Sequence, residues 1–251
     1  MLVVVLNEEN SLFSGRPATL PLLVWVPPEP YSKGMSDDRK KHWDRYTVSG
    51  NVEAEYVDAE QTVLVNKKGI TDLGALQFAE EEAFAAAYET LLGEVRTDTP
   101  MTCDLLRHVH ERVFGDLYEW AGRWRTVWLS KPGITWPAPD YLDQNMQGFE
   151  RMVLARYPAH TLQDDAAFCA AVGEIQGEFL VIHPFREGNA RAIKLMTNLL
   201  AVQTGRPLLA YEPTEEGRQR YIAAADAAFR KDYDPMITVI RIALETARKG
   251  A

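Results

Sequence analysis

The sequence is poor in the features that mark several large protein classes. Two cysteines occur in 251 residues, Cys103 and Cys169, both inside apolar helical patterns and at no metal-ligand spacing. Their scarcity excludes a disulfide framework and a cysteine zinc site, and it fits a reducing, cytoplasmic setting. No run approaches the roughly eighteen apolar residues that span a bilayer. The apolar opening Leu2 to Leu6 lacks a basic flank and is too short for a signal peptide, so no membrane anchor is expected. Cations are outnumbered, with 27 Lys and Arg against 36 Asp and Glu, a net charge of −9. That balance argues against a nucleic-acid-binding surface spread over the molecule. There is no internal repeat, and turn-plus-strand signals are scarce after residue 55.

What is present is apolar material at helical spacing. An apolar content of 46% can fill a sizeable core. Residues 1–55 differ from the rest, with prolines clustered between Pro17 and Pro30 and a charged, aperiodic stretch from Ser36 to Arg45. They read as a poorly structured arm. Met35-Ser36-Asp37-Asp38 has the look of an ordinary protein beginning, so the first 34 residues are expected to lie outside the natural product. The main domain is then 56–251. Helices are expected over about 71–92, 102–114, 141–157, 165–182, 189–204, 215–229 and 235–248. Between Asp116 and Pro139 the helical period lapses. Thr126-Val127-Trp128-Leu129-Ser130 and Ile134-Thr135-Trp136 are β-prone and flank the turn Lys131-Pro132-Gly133. A two-stranded hairpin is marginal alone, so it should lie against the helical body, with an edge able to accept another chain as an added strand. The expected fold class is all-α, with one small hairpin.

The chemistry concentrates in His183-Pro184-Phe185-Arg186-Glu187-Gly188-Asn189-Ala190-Arg191-Ala192-Ile193-Lys194, at the start of an apolar helix. A loop that opens a helix binds anions, because successive N–H groups and the helix dipole point at the same place. Gly188, Asn189 and Ala190 offer donors, Arg191 adds a charge-assisted contact, and Lys194 lies one turn further on. A carboxylate at Glu187 would repel phosphate unless Mg²⁺ lies between them, an ion that takes one or two carboxylates plus phosphate oxygens. His183 has a near-neutral intrinsic pKa suited to taking a proton from a hydroxyl. Taken singly, each of these residues has a structural explanation as a cap, a dipole partner or a solvated charge. One nucleotide-phosphate site accounts for all of them together.

These twelve residues resemble the signature of the Fic family, H-x-F-x-[DE]-G-N-x-R-x-x-R. The likeness continues in Val63-Leu64, Asn66-Lys67, Gly69-Ile70, Phe114-Gly115-Asp116, Tyr118-Glu119-Trp120-Ala121-Gly122, Arg125-Thr126 and Ser130-Lys131, over roughly residues 56–232. The resemblance implies a Fic-fold helical bundle with a small β-hairpin flap. It implies a protein adenylyltransferase that moves AMP from Mg-ATP onto a Ser, Thr or Tyr hydroxyl of a target protein. By that pattern His183 is the catalytic base, Glu187 holds Mg²⁺, and Arg186, Gly188, Asn189, Ala190, Arg191 and Lys194 bind the nucleotide. Thr126, Val127, Trp128, Leu129 and Ser130 form the flap that docks the target by strand pairing. The alternatives are phosphoryl or another nucleotidyl transfer on the same fold, and a non-catalytic protein-binding module.

Two positions depart from the family pattern. Ala190 stands where the adenylyl-transferring members have Gly, at a cost of about 1 kcal/mol if the loop needs a positive φ there. Lys194 stands where a second Arg is usual, which keeps the charge and loses the bidentate fork. Ser49 to Ala54 only partly matches the family's inhibitory [ST]-x-x-x-E-[GN] motif, so the precedent points instead to a small antitoxin-like inhibitor acting in trans. Action in the cytoplasm or after delivery into another cell as an effector both fit the family.

Overall fold

The computed structural model describes residues 52–94, 96 and 98–250, and the backbone of the strands Leu2–Val4 (β1), Leu23–Trp25 (β2) and Thr47–Ser49 (β3). Within these residues the body is built from α1 Leu73–Glu94, α2 Cys103–Phe114, α3 Leu142–Met152, α4 Asp165–Ile182, α5 Asn189–Gln203, α6 Glu215–Ala228 and α7 Asp234–Lys249. The helical periods thus stand, with ends moved by a few residues. The expected 141–157 helix stops at Met152 and gives way to two single 3-10 turns, Leu154–Arg156 and Ala159–Thr161. Side-chain caps set several of the starts. Asp72 Oδ1 accepts the Ala75 N–H at 2.8 Å, Thr102 Oγ1 that of Leu105 at 3.1 Å, and Asp164 Oδ1 that of Ala167 at 2.8 Å. Each satisfies a donor the helix leaves without a partner, worth about 1 kcal/mol.

Two cores meet at α5. Ile193, Met196 and Leu200 belong to the larger core with Phe168, Val172 and Phe179 of α4 and Ile240 of α7. Leu195 and Leu199, on another face of α5, belong to a second core with Leu91 of α1 and Val109 and Val113 of α2. Full burial of each such side chain is worth about 1.5–3 kcal/mol against exposure, so the loop that opens α5 is held from both sides. At Gly173 of α4 an added Cβ would stand 2.6 Å from Ile237 Cγ1. Only glycine there lets α4 and α7 approach this closely.

The hairpin forms where the β-prone runs predict it, as β4 Trp128–Lys131 and β5 Ile134–Thr135 joined at Pro132-Gly133. Thr126 and Val127 precede β4 rather than lying in it. The sheet has three strands, in the antiparallel order β3-β4-β5. The β4 edge that the sequence left open is paired with Thr47–Ser49, which gives partners to backbone N–H and C=O groups that the hairpin alone does not pair. Most of the arm expected over 1–55, including Ser36 to Arg45, lies outside the described residues. Glu53 and Glu55 are already bonded into the body, through Thr126 N to Glu53 Oε2 at 2.9 Å and Val65 N to Glu55 O at 3.1 Å. Among the described residues no helix is long and apolar enough to cross a membrane.

Candidate active site

Helix α4 delivers the chain to His183, which ends it as a left-handed C-cap at φ 53°, ψ 58°, its N–H donating to Phe179 O at 2.8 Å. The loop that follows closes on Asn189, whose side-chain amide accepts from Phe185 N at 2.9 Å and donates to Phe185 O at 2.8 Å. Phe185, fully buried, stacks on His110 with ring centroids 3.7 Å apart. Gly188 then turns the chain into α5 at φ 76°, where a Cβ would lie 2.3 Å from Phe114 Cε2. No other residue satisfies both the angle and the space.

His110 fixes the loop from α2. It accepts the Gly122 N–H at Nδ1, 3.0 Å, so its Nε2 carries the proton and donates to the Glu187 carbonyl at 3.0 Å. Burial pushes its pKa down to about 3, which keeps it neutral and preserves this pattern. Arg125 joins the hairpin to the loop. Its Nε donates to His183 O at 2.9 Å, Nη1 to Val127 O at 2.7 Å and Nη2 to Pro137 O at 2.7 Å, while its backbone N–H donates to Pro184 O at 2.8 Å. A guanidinium with five donors in a fixed fork can reach three carbonyls at once.

A cavity of about 540 Å³ opens over this loop, lined by His183, Glu187, Gly188, Ala190, Arg191 and Lys194, with Lys131 and Trp136 on the hairpin side. The His183 ring lies 4.4 Å from that of Trp136, and the Leu180 carbonyl accepts from Trp136 Nε1 at 3.1 Å and lies 3.3 Å from His183 Nδ1. With the proton on Nδ1, the basic lone pair is on Nε2. Burial depresses the His183 pKa to about 3 against the raising effect of the Leu180 contact, so the imidazole is neutral. The Glu187 carboxylate takes the Gly188 N–H at 3.0 Å and stands 3.8 Å from Arg191 Nη2. Arg191 also pairs with Glu80 of α1 at 2.7 Å and lies over the Phe114 ring at 4.7 Å. Glu80 in turn accepts from the Tyr118 hydroxyl at 2.5 Å, and Tyr118 stays a phenol because burial raises its pKa.

Lys194 rests against two aromatic faces, its Nζ 4.4 Å from the centroid of Tyr211 and 3.8 Å from that of Tyr221. Both rings are held by Gln176, which donates to the Tyr211 hydroxyl at 2.6 Å and accepts from that of Tyr221 at 2.8 Å. Desolvation pushes the ammonium pKa down to about 8.

Of the eight site residues expected in the loop, six therefore share one cavity, and two do not line it. Arg186 is 1% exposed and donates to Glu53 O at 2.9 Å and to the Tyr56 hydroxyl at 3.0 Å, so it anchors the segment before the first helix rather than facing a nucleotide. Asn189 closes the loop from within. Ala190 carries no backbone penalty, because it lies in the first turn of α5 and the positive φ angles of the loop fall on His183 and Gly188. Of the expected flap residues, Val127 and Leu129 are buried with Trp136, Trp128 is half exposed, and the residue that reaches the cavity is Lys131. His110, Glu80, Tyr211 and Tyr221 were not singled out by sequence, and Arg125 was named only within the family likeness. His110 alone left a visible sign, since it follows Leu106 by four on the buried face of α2.

A helical bundle with an H-P-F-x-E-G-N loop between its two central helices, beside a β-hairpin, defines a class of its own. Residues 100–201 match the model of the Fic/DOC family. Over 150 residues, 60% of its length, it is 31% identical to the protein adenylyltransferase VbhT of Bartonella schoenbuchensis, and spans 31% of that relative. It is 26% identical over 179 residues to a probable protein adenylyltransferase of Sinorhizobium fredii, covering 71% of this chain and 90% of the relative. Among solved structures, the N-terminal Fic domain of Bep8 from Bartonella sp. 1-1C superposes with a TM-score of 0.65 at 20% identity, over 75% of this chain and 94% of that one. The BepC protein of Bartonella tribocorum, with bound AMPPNP, gives 0.63 at 18% identity, over 77% and 98%.

Proposed function

We propose that the protein transfers AMP from ATP to a Ser, Thr or Tyr hydroxyl of a target protein. The observation that carries this reading is the convergence of a neutral His183, Glu187 and the α5 N-terminus at Gly188 on one cavity. Relatives named as protein adenylyltransferases and a fold neighbour holding AMPPNP support it. The N–H groups opening α5, with Arg191 and Lys194, bind the phosphate chain and stabilise charge as it develops on it. The target oxygen attacks the α-phosphorus, its proton passes to His183 Nε2, and the bond to pyrophosphate breaks. Catalysis here is positioning and electrostatics.

Among the described residues no three His, Cys, Asp or Glu side chains group to hold a metal. A single carboxylate at Glu187, facing the cavity, fits Mg²⁺, which takes its other ligands from phosphate and water. Bound there, the ion would neutralise charge on the phosphate chain.

Intact-mass measurement after incubation with ATP and Mg²⁺, on the chain and on candidate targets, tests the reading. A gain of one AMP is expected. A gain of one phosphoryl group would replace it with γ-transfer, and no modification by a chain that binds ATP would leave a binding module. His183→Ala should lower the rate by about 10²–10⁴ with nucleotide affinity kept.

A further inference from the structure

The free edge of β4 is taken by the chain itself. Thr47–Ser49 run antiparallel to it, with Thr47 opposite Ser130, Val48 opposite Leu129 and Ser49 opposite Trp128. Shortly after β3 the chain is fastened to the base of the same hairpin, where the Glu53 carboxylate accepts the Thr126 N–H and the Glu53 carbonyl accepts from Arg186 Nε, each at 2.9 Å. So short a tether gives β3 an effective concentration of order millimolar at the β4 edge.

The two faces of β4 are not alike. Leu129 is buried beside Trp136, which packs on His183, and Lys131 on the same face lines the cavity; Trp128 on the other face is half exposed. Residues paired across an antiparallel ladder share a face, so the position opposite Leu129 belongs to the cavity side. Val48 holds that position, and the hydroxyl residues Thr47 and Ser49 hold the two on the outer side.

We propose that Thr47–Ser49 is a built-in competitor for the docking edge of β4. It holds the place of an extended segment of the target protein and is displaced before a target is modified. The proposal rests on the reading of β4 as the strand that docks the target.

The experiment uses the full chain, wild type and with Val48→Pro or Thr47→Pro/Ser49→Pro, since proline cannot donate to a ladder. Without nucleotide, hydrogen exchange at residues 128–131 should accelerate about tenfold or more in a proline variant, with α4 and α5 unchanged. A labelled peptide copying residues 44–52 should bind that variant about tenfold or more tighter than wild type. Equal exchange, or equal peptide binding, overturns the proposal. Neither readout needs turnover, so failure of AMP transfer leaves these results standing. In active protein the freed variant should modify a serine peptide about tenfold faster than wild type, and an unchanged rate overturns the competitor role.

Discussion

At the scale of the residue, the site depends on protonation states set by burial. Lys194 shows this in the cation. Packed on Tyr211 and Tyr221, its ammonium loses hydration and its pKa falls to about 8. A phosphate chain needs the charged form, which is present below that value and lost above it. ATP affinity measured by calorimetry should therefore weaken between pH 7 and pH 9 by roughly tenfold, the worth of one charge-assisted hydrogen bond. Lys194→Arg should flatten the dependence, since guanidinium does not titrate there. Flat wild-type binding would mean that Lys194 contributes no charge to the nucleotide. The neutral pair His110 and His183 shows the other half of the design. One imidazole holds the Glu187 backbone and the other lines the cavity.

At the scale of the element, the hairpin and the loop behave as one body because Arg125 bonds both. Arg125→Ala would leave the His183, Val127 and Pro137 carbonyls without these donors. Hydrogen exchange in the hairpin should rise, and KM for the target peptide should increase by about tenfold or more, with ATP affinity within about threefold of wild type. A matching loss of ATP affinity would show instead that the loop itself had collapsed. The elements were largely legible in the sequence where their cause is local. Apolar residues at three and four apart predicted α2, α4 and α5, and Lys131-Pro132-Gly133 predicted the hairpin turn. The parts that escaped depend on partners far along the chain. Thr47–Ser49 carries no local sign that it pairs with residues 128–130, some eighty positions away. Glu80 looks like one of three successive glutamates on a helix until Arg191 and Tyr118 are seen beside it. Lys194 was legible as a charge, but its tyrosine cage comes from a loop and a helix that follow.

At the scale of the molecule, the two buried histidines link stability to pH. In the unfolded chain an imidazole protonates near 6.5; in the folded protein burial delays this to about 3 for both. Their folded pKa values are depressed, so the stability they confer is full above about 6.5 and drains as pH falls towards 3. Between pH 6.5 and 5, before most carboxylates titrate, urea unfolding should show stability falling by roughly 1 kcal/mol per pH unit for each imidazole. The double variant His110→Gln/His183→Gln should show little slope in that window. An equal slope would place the acid sensitivity in other groups. The join between α4 and α5 also sets how this molecule tolerates changes of length. His183 is both the cap of one helix and the base of the site, and each residue added to a helix turns everything beyond it by about 100°. A single insertion between Phe168 and His183 would swing the imidazole off the cavity, and one between Gly188 and Lys194 would do the same to the cations. Changes of length within this stretch should therefore abolish activity while the outer connections accept them, and the spacing of this stretch is as much a part of the site as its side chains.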